Sequence, residues 1–253
     1  MSQYIPPVRR KDHARGHSYV DGRGQRIPGV TTIISEGVPK PALVKWAPRV
    51  VAETAVNRWD ELAELPVATR LKTLVDSPWA DRDAAARRGT EVHNLAEQLV
   101  AGAEVQVPDE LAGHVDAYMK FLEDWDPQPV IVEATIVNYT IGYAGTLDLI
   151  ADIPRLRKRL LLDVKTNRSG VYGEVALQLS PYRYAEFYVA EDGERPMIPV
   201  DGCGVIHVRS DGYSLVPVTA GPAQFRAFRY AMEIGRFVGT SRDLVADELN
   251  PTN

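Results

Sequence analysis

Apolar and polar positions change period along this chain, and the changes mark out its elements. Residues 130–137, VIVEATIV, read as a strand that is apolar apart from one carboxylate, Glu133. Residues 146–166 hold two further apolar runs, TLDLIADI and LLLDVKT, separated by the proline-led basic stretch PRLRKR, a pattern that predicts a β-hairpin. A turn over 154–159 sets Ile153 against Leu160, Ile150 opposite Asp163 and Asp148 opposite Lys165. Because side chains alternate across a strand, Asp148, Asp163 and Lys165 then share one face. The other, core-facing side carries Leu147, Leu149, Ala151 and Ile153 against Leu160, Leu162 and Val164.

Elsewhere the period is mostly helical. The N-terminal run HSYVDGRGQRIPGVTTII predicts a small hairpin turning at Asp21-Gly22. From Pro39 a helix follows, with Leu43, Trp46, Val50 and Thr54 near one face and a kink or restart at Pro48. Residues 81–100 form an amphipathic helix through Val92, Leu95, Ala96 and Leu99, with His93 at the edge of the stripe and Gly89 one turn earlier. PDELAGHVDAYMKFLEDW predicts another helix, bounded by Pro108 and Pro127. After the central hairpin, residues 174–189 read as a helix breaking near Ser180 because of Pro181; if it continues, Gln178 and Tyr182 share a face. GVIHV and YSLVPV predict a second hairpin, and 221–239 a last helix. The order implies an α/β protein with a mixed central sheet flanked by helices: an N-terminal extension of small hairpin and helices over 1–80, a core over 81–240 and an acidic tail over 241–253.

The central hairpin carries the chemistry. An Asp-x-Lys triplet alone is expected about once by chance in a chain of this length, and its bland reading is a surface ion pair. Here two carboxylates and a lysine gather at one end of a greasy hairpin, which costs stability unless they hold a metal or do chemistry. Glu133 breaks an apolar strand in the same way; it either faces water at a sheet edge or joins a metal site. Taken alone, a helix-edge histidine such as His93 is more often packed or solvated than a ligand.

Composition narrows the choices. The single cysteine, Cys203, excludes a four-cysteine zinc or iron–sulfur site, and no GxxxxGK[ST] loop is present for ATP. No apolar run reaches the roughly 18–20 residues of a membrane span, and MSQYIPPVRRKD lacks the apolar core of a signal peptide, so a cytoplasmic location is expected. The net charge of −5 is not that of a typical nucleic-acid binder, yet residues 1–30 carry six Lys or Arg against two Asp. A second basic cluster runs from Arg155 to Arg159 in the hairpin turn, with Lys165 and Arg168 beyond it.

In order, Arg88-Gly89-Thr90-Glu91-Val92-His93, Glu133, Gly145-Thr146-Leu147-Asp148, Asp163-Val164-Lys165 and Gln178-Leu179-Ser180-Pro181-Tyr182 resemble the motifs of the PD-(D/E)XK nuclease superfamily, within it the RecB-like and phage exonuclease branch. The resemblance implies a restriction-endonuclease-like core and a metal-dependent DNA nuclease, most naturally an exonuclease in recombination, repair or phage DNA processing. The alternatives are a structure- or sequence-specific endonuclease and a non-catalytic DNA-binding scaffold. It also implies Mg²⁺ or Mn²⁺ held by Asp148, Asp163, His93 and the Val164 carbonyl, with catalysis by Asp148, Asp163, Lys165 and Glu133. Gln178 and Tyr182 would position Lys165 or the scissile nucleotide. The implied partners are end-bearing DNA and a recombinase or single-strand annealing protein. Some relatives carry four cysteines for an iron–sulfur cluster, which this chain cannot supply.

Overall fold

The computed structural model describes residues 7–13, 16–100, 106–167 and 170–248; beyond residue 80 in the long helix Val67–Val100, the side chains described are those of Asp83, Gly89, Glu91, Val92, Leu95 and Gln98. Three short N-terminal strands come first, β1 (Arg9–His13), β2 (Gly16–Val20) and β3 (Arg26–Ile27), forming a small antiparallel sheet. The Asp21 carboxylate closes the β2–β3 turn by accepting from the N–H groups of Arg23 and Gln25 at 2.9 and 2.7 Å, so the expected hairpin is present, with β1 added at its edge. GVTTII is not part of it. Those residues open helix α1 (Val30–Gly37), whose Val30, Ile33 and Ile34 are buried.

Helices α2 (Pro41–Asn57), α3 (Trp59–Ala63) and α4 (Val67–Val100) follow. Neither Pro48 in α2 nor Pro78 in α4 interrupts its helix, and α4 runs unbroken across residues 80 and 81, where the sequence suggested a boundary. Of the apolar face expected on α2, Trp46, Val50 and Thr54 are half-buried and Leu43 is exposed. Helix α5 (Ala112–Trp125) ends at Asp126, which takes a left-handed conformation (φ 44°) just before Pro127.

The central sheet has seven strands: β4 (Gln128–Asn138), β5 (Tyr143–Ile153), β6 (Lys158–Lys165), β7 (Phe187–Ala190), β8 (Gly193–Pro196), β9 (Gly202–Arg209) and β10 (Gly212–Val218). They lie in the order β10-β9-β6-β5-β4-β7-β8, and every neighbouring pair is antiparallel except β6 with β9. Between β6 and β7 runs α6 (Val175–Arg183), and α7 (Pro222–Thr240) closes the order. The helix expected over 174–189 therefore ends early. Pro181 is accommodated near its end, Tyr143 Oη donates to the Pro181 carbonyl at 2.9 Å and Asn138 Nδ2 to that of Tyr184 at 3.1 Å, and residues 187–190 join the sheet instead.

Helices cover both faces. On one, α1, α6 and α7 pack through Ile33, Leu179, Phe228 and Met232 onto Ile136, Tyr143, Ile150 and Leu161. On the other, Ala117, Tyr118 and Phe121 of α5 cover Leu149, Ile153, Leu162 and Ile206. Val92 and Leu95 of α4 pack in turn on Leu111 and Val115 at the start of α5. The protein is thus a mixed α/β fold around a seven-stranded mixed sheet. Among the described residues no helix is long and apolar enough to cross a membrane.

The β5–β6 register differs by two residues from the expected one. Ile153 pairs with Lys158, Ile150 with Leu161 and Leu149 with Leu162. The turn is shorter than the basic run: a 3₁₀ turn at Pro154–Leu156 closes with Arg157 in the left-handed region at φ 52°. The Arg159 guanidinium then grips the Asp152 carboxylate through two bonds of 2.8 and 2.9 Å across the strands. A slip of two preserves the faces, since side-chain direction has period two.

Candidate active site

The carboxylates sit where both central strands lose their alternation. In β4, Ile131, Ala134 and Ile136 all enter the same core; in β5, Leu147 and Ile150 do. Each strand therefore carries one residue out of step, and these are Glu133, at φ 45°, and Asp148, bracketed by the pairs Val132–Leu149 and Ala134–Leu147. Leu147 was expected beside Leu149 in one core; the irregularity sends it to the opposite one. It also turns Glu133 and Asp148 into a common cleft of about 660 Å³, which Asp163, Lys165, Gln178 and Tyr182 line as well. Glu133 is half-buried; β4 lies inside the sheet order, but β7 pairs with it only at Ile136 and Val137, so the stretch holding Glu133 borders the sheet on that side.

Beyond the last β5–β6 pair, Asp148 is held by the sheet itself: its Oδ2 accepts from the Val164 N–H at 2.7 Å. Asp163, from the next strand, is 1% exposed, so the face opposite the expected core-facing side of the hairpin is covered as well. Its Oδ1 accepts from Gln178 Nε2 at 2.8 Å. Lys165 Nζ donates to Gln178 Oε1 at 3.2 Å and lies 2.8 Å from Asp163 Oδ2. Gln178 thus bridges the acid and the ammonium, which fixes its amide orientation.

Electrostatics follow from this packing. Burial pulls the Lys165 pKa down, but the negative charges of Asp163 and then Asp148 outweigh it and hold the ammonium above its ordinary value. Lys165 is therefore a fixed positive charge. Tyr182 is pushed well up, first by burial and then by the neighbouring Tyr19, Asp163 and Asp148, against a lowering hydrogen bond with Gln178. Its ring covers Gly145, where a Cβ would come within 2.6 Å of Tyr182 Cε1, so the small residue in Gly145-Thr146-Leu147-Asp148 makes room for the tyrosine.

Several cleft residues were not anticipated. Arg10, Asp12, His17 and Tyr19 form one wall from β1 and β2. Tyr19 Oη shares a 2.8 Å hydrogen bond with Thr146 Oγ1, and the Ala144 N–H donates to the Pro28 carbonyl at 3.0 Å, so the N-terminal strands are tied to β5 beside the acids. The only sequence signal was the basic character of residues 1–30. Behind Lys165, paired with it across β6 and β9, the buried His207 lies with Nε2 2.8 Å from the Asn167 carbonyl and Nδ1 3.2 Å from Arg209 Nη1, which pins the chain leaving β6. Gly89 brings α4 to the same place, with Thr166 Oγ1 3.4 Å from where its Cβ would be. His93 lies one turn further along α4, and its side chain is outside those described. The basic turn does not reach the cleft; it sits at the far end of the hairpin, five residues or about 17 Å along β5 from Asp148, beside a separate cavity with Pro199 and Asp201.

Among the described residues no three His, Cys, Asp or Glu side chains cluster as a metal site. Asp148 and Asp163 nevertheless suit a hard divalent cation, since Mg²⁺ is commonly held by one or two carboxylates with waters and substrate phosphate completing its shell. Asp163 Oδ2 is buried with the Lys165 ammonium 2.8 Å away, and a carboxylate oxygen has a second lone pair, so it keeps acceptor capacity for such an ion. No protein-family model matches the chain, and no curated protein matches its sequence.

Proposed function

We propose that this protein is a divalent-metal-dependent DNA nuclease, acting as an exonuclease in recombination, repair or phage DNA processing. One observation carries the reading: Asp148, Asp163, Lys165 and Gln178, from two strands and the following helix, meet in one cleft with Gln178 bonded to both Asp163 and Lys165. The order of these elements, β4 with Glu133, β5 with Asp148, β6 with Asp163-Val164-Lys165, then α6 and the parallel strand β9, supports a restriction-endonuclease-like core.

Asp148 and Asp163 would hold Mg²⁺ or Mn²⁺, with the carbonyl of Val164, the residue after Asp163, as a further oxygen ligand. An ion held there would supply polarisation of a phosphoryl oxygen and a lowered pKa for an attacking water. Lys165 keeps a positive charge where negative charge grows in the transition state, and Gln178 holds it at a fixed place relative to Asp163. Glu133 adds negative charge on the β4 side of the cleft. A space of about 660 Å³ suits a nucleotide-sized group, so one strand enters it.

The test is incubation of the purified protein with linear and covalently closed DNA, single- and double-stranded, with Mg²⁺, Mn²⁺ or EDTA. Linear DNA should be shortened from its ends to mono- or short oligonucleotides, circles should be spared, and EDTA should stop cleavage. Rapid nicking of circles at discrete positions would replace the exonuclease by an endonuclease. DNA binding without cleavage in either metal would leave a scaffold.

A further inference from the structure

A second cavity of about 300 Å³ opens from the cleft, and four residues, Thr31, Lys165, Asn167 and Gln178, line both spaces. Its character differs from that of the acidic cleft. Ile34 and Val175, both buried, and Val171 give it an apolar floor, and Tyr172 stands at its mouth with 61% of its surface exposed. Away from Lys165, which is paired with Asp163 on the cleft side, its charged groups are Lys40 and Glu174, 3.1 Å apart as an ion pair, so the outer rim presents little net charge to a phosphate. An apolar floor, an accessible phenol ring and a neutralised rim suit a flat, uncharged heteroaromatic ring. The anionic group belongs next door, beside Lys165.

We infer that this cavity receives the nucleobase adjoining the scissile phosphate, stacked on Tyr172, with Lys165 and Gln178 at the junction between base and phosphate. The inference rests on the nuclease reading and assigns that site its substrate subsite: an unpaired terminal nucleotide of either base type. Stacking tolerates every base, because each has a π face, so the subsite recognises a splayed end without reading sequence. Tyr172 is a binding residue here, not one that touches the reacting atoms.

The test uses single-stranded oligonucleotides carrying 2-aminopurine, or an abasic residue, at one end or the other, with the whole wild-type chain and its Tyr172→Ala and Tyr172→Phe variants. Binding is followed in EDTA by 2-aminopurine fluorescence, and cleavage separately with Mg²⁺ or Mn²⁺. The fluorescence should be quenched at one end by wild type and Tyr172→Phe and not by Tyr172→Ala. Loss of one base stack should lower kcat/KM about tenfold in Tyr172→Ala on normal ends. On abasic ends the same variant should cleave as well as wild type. Quenching at neither end, or a Tyr172→Ala penalty as large on abasic as on normal ends, would overturn the subsite while leaving the nuclease intact. Tyr172-dependent quenching with no cleavage in either metal would keep the base-binding cavity and overturn the nuclease reading instead.

Discussion

The Val164 N–H donates to Asp148 Oδ2 at 2.7 Å, so the acid on β5 is oriented by the backbone of the residue between Asp163 and Lys165. A carboxylate held by main chain has little freedom to swing, and its position relative to Asp163 is set by strand geometry. Pre-set ligands of this kind suit an ion that must bind with defined geometry.

Asp148→Asn and Asp148→Ala separate that structural bond from the charge. The amide oxygen of Asn can still accept from Val164, so Asp148→Asn should unfold within about 0.5 kcal/mol of wild type, whereas Asp148→Ala loses the bond and about 1 kcal/mol. Both lose a charge that would hold the metal in the proposed nuclease and should fall at least ~100-fold in cleavage. Mn²⁺ binding followed by electron paramagnetic resonance should weaken in both. Wild-type Mn²⁺ affinity in Asp148→Asn would remove Asp148 from the metal site.

Asp163 and Lys165 form a pair with unequal burial, the acid side chain 2% exposed and the lysine 33%. Removing the ammonium strands a buried carboxylate, so Lys165→Met should cost about 1–3 kcal/mol in urea unfolding as well as activity. Changing Asp163→Asn at the same time removes the stranded charge. The double variant should therefore recover most of the lost stability and none of the cleavage, a coupling that additive effects would contradict.

How much of this was legible follows from where the information sits. The apolar runs of β4 to β6, and the hairpin of β9 and β10, showed in local periodicity, and the shared face of Asp163 and Lys165 survived a wrong register because the slip was by two, whereas Asp148 joins them through the irregularity in β5. The paired irregularity at Glu133 and Asp148 was not legible, since a positive φ at a glutamate leaves no compositional mark. Nor was β7: Phe187 and Tyr188 sit between two strands, pairing with Val137 and Ile136, about 50 residues away in sequence, as well as with Pro196 and Arg195 of β8. The N-terminal wall was missed for the same reason. Tyr19 meets Thr146 through tertiary packing, which no local pattern announces.

Gly145→Ala probes the close approach that seats Tyr182. The added methyl would lie 2.6 Å from Tyr182 Cε1 and 3.3 Å from Val30 Cγ2, and the tyrosine is only 3% exposed, so the ring has nowhere to retreat. Overpacking of this kind should cost about 1–3 kcal/mol. Cleavage should fall too, because Tyr182 lines the cleft. Gly173→Ala, with no atom within 4 Å of its new methyl, is the control and should stay within about 0.5 kcal/mol. Equal stability of the two variants would show that the Tyr182 packing is looser than described.

The two basic regions of the chain should behave differently toward DNA. Arg10 lines the acidic cleft, braced by Asp12 at 2.9 Å, whereas Arg157 borders the separate cavity at the far end of the β5–β6 hairpin. A groove built jointly from the N-terminal arm and the hairpin turn is therefore not what the fold provides. Each phosphate neutralised by a basic side chain releases condensed counterions, so its loss lowers the slope of log affinity against log salt by about one for duplex DNA and somewhat less for a single strand. Single-strand binding by fluorescence anisotropy in EDTA, across a salt series, should show that decrease for Arg10→Ala. Arg157→Ala should leave both slope and affinity as in wild type. The opposite pattern, with Arg157 setting the salt dependence and Arg10 silent, would move the strand's path off the β1–β2 wall and onto the hairpin turn.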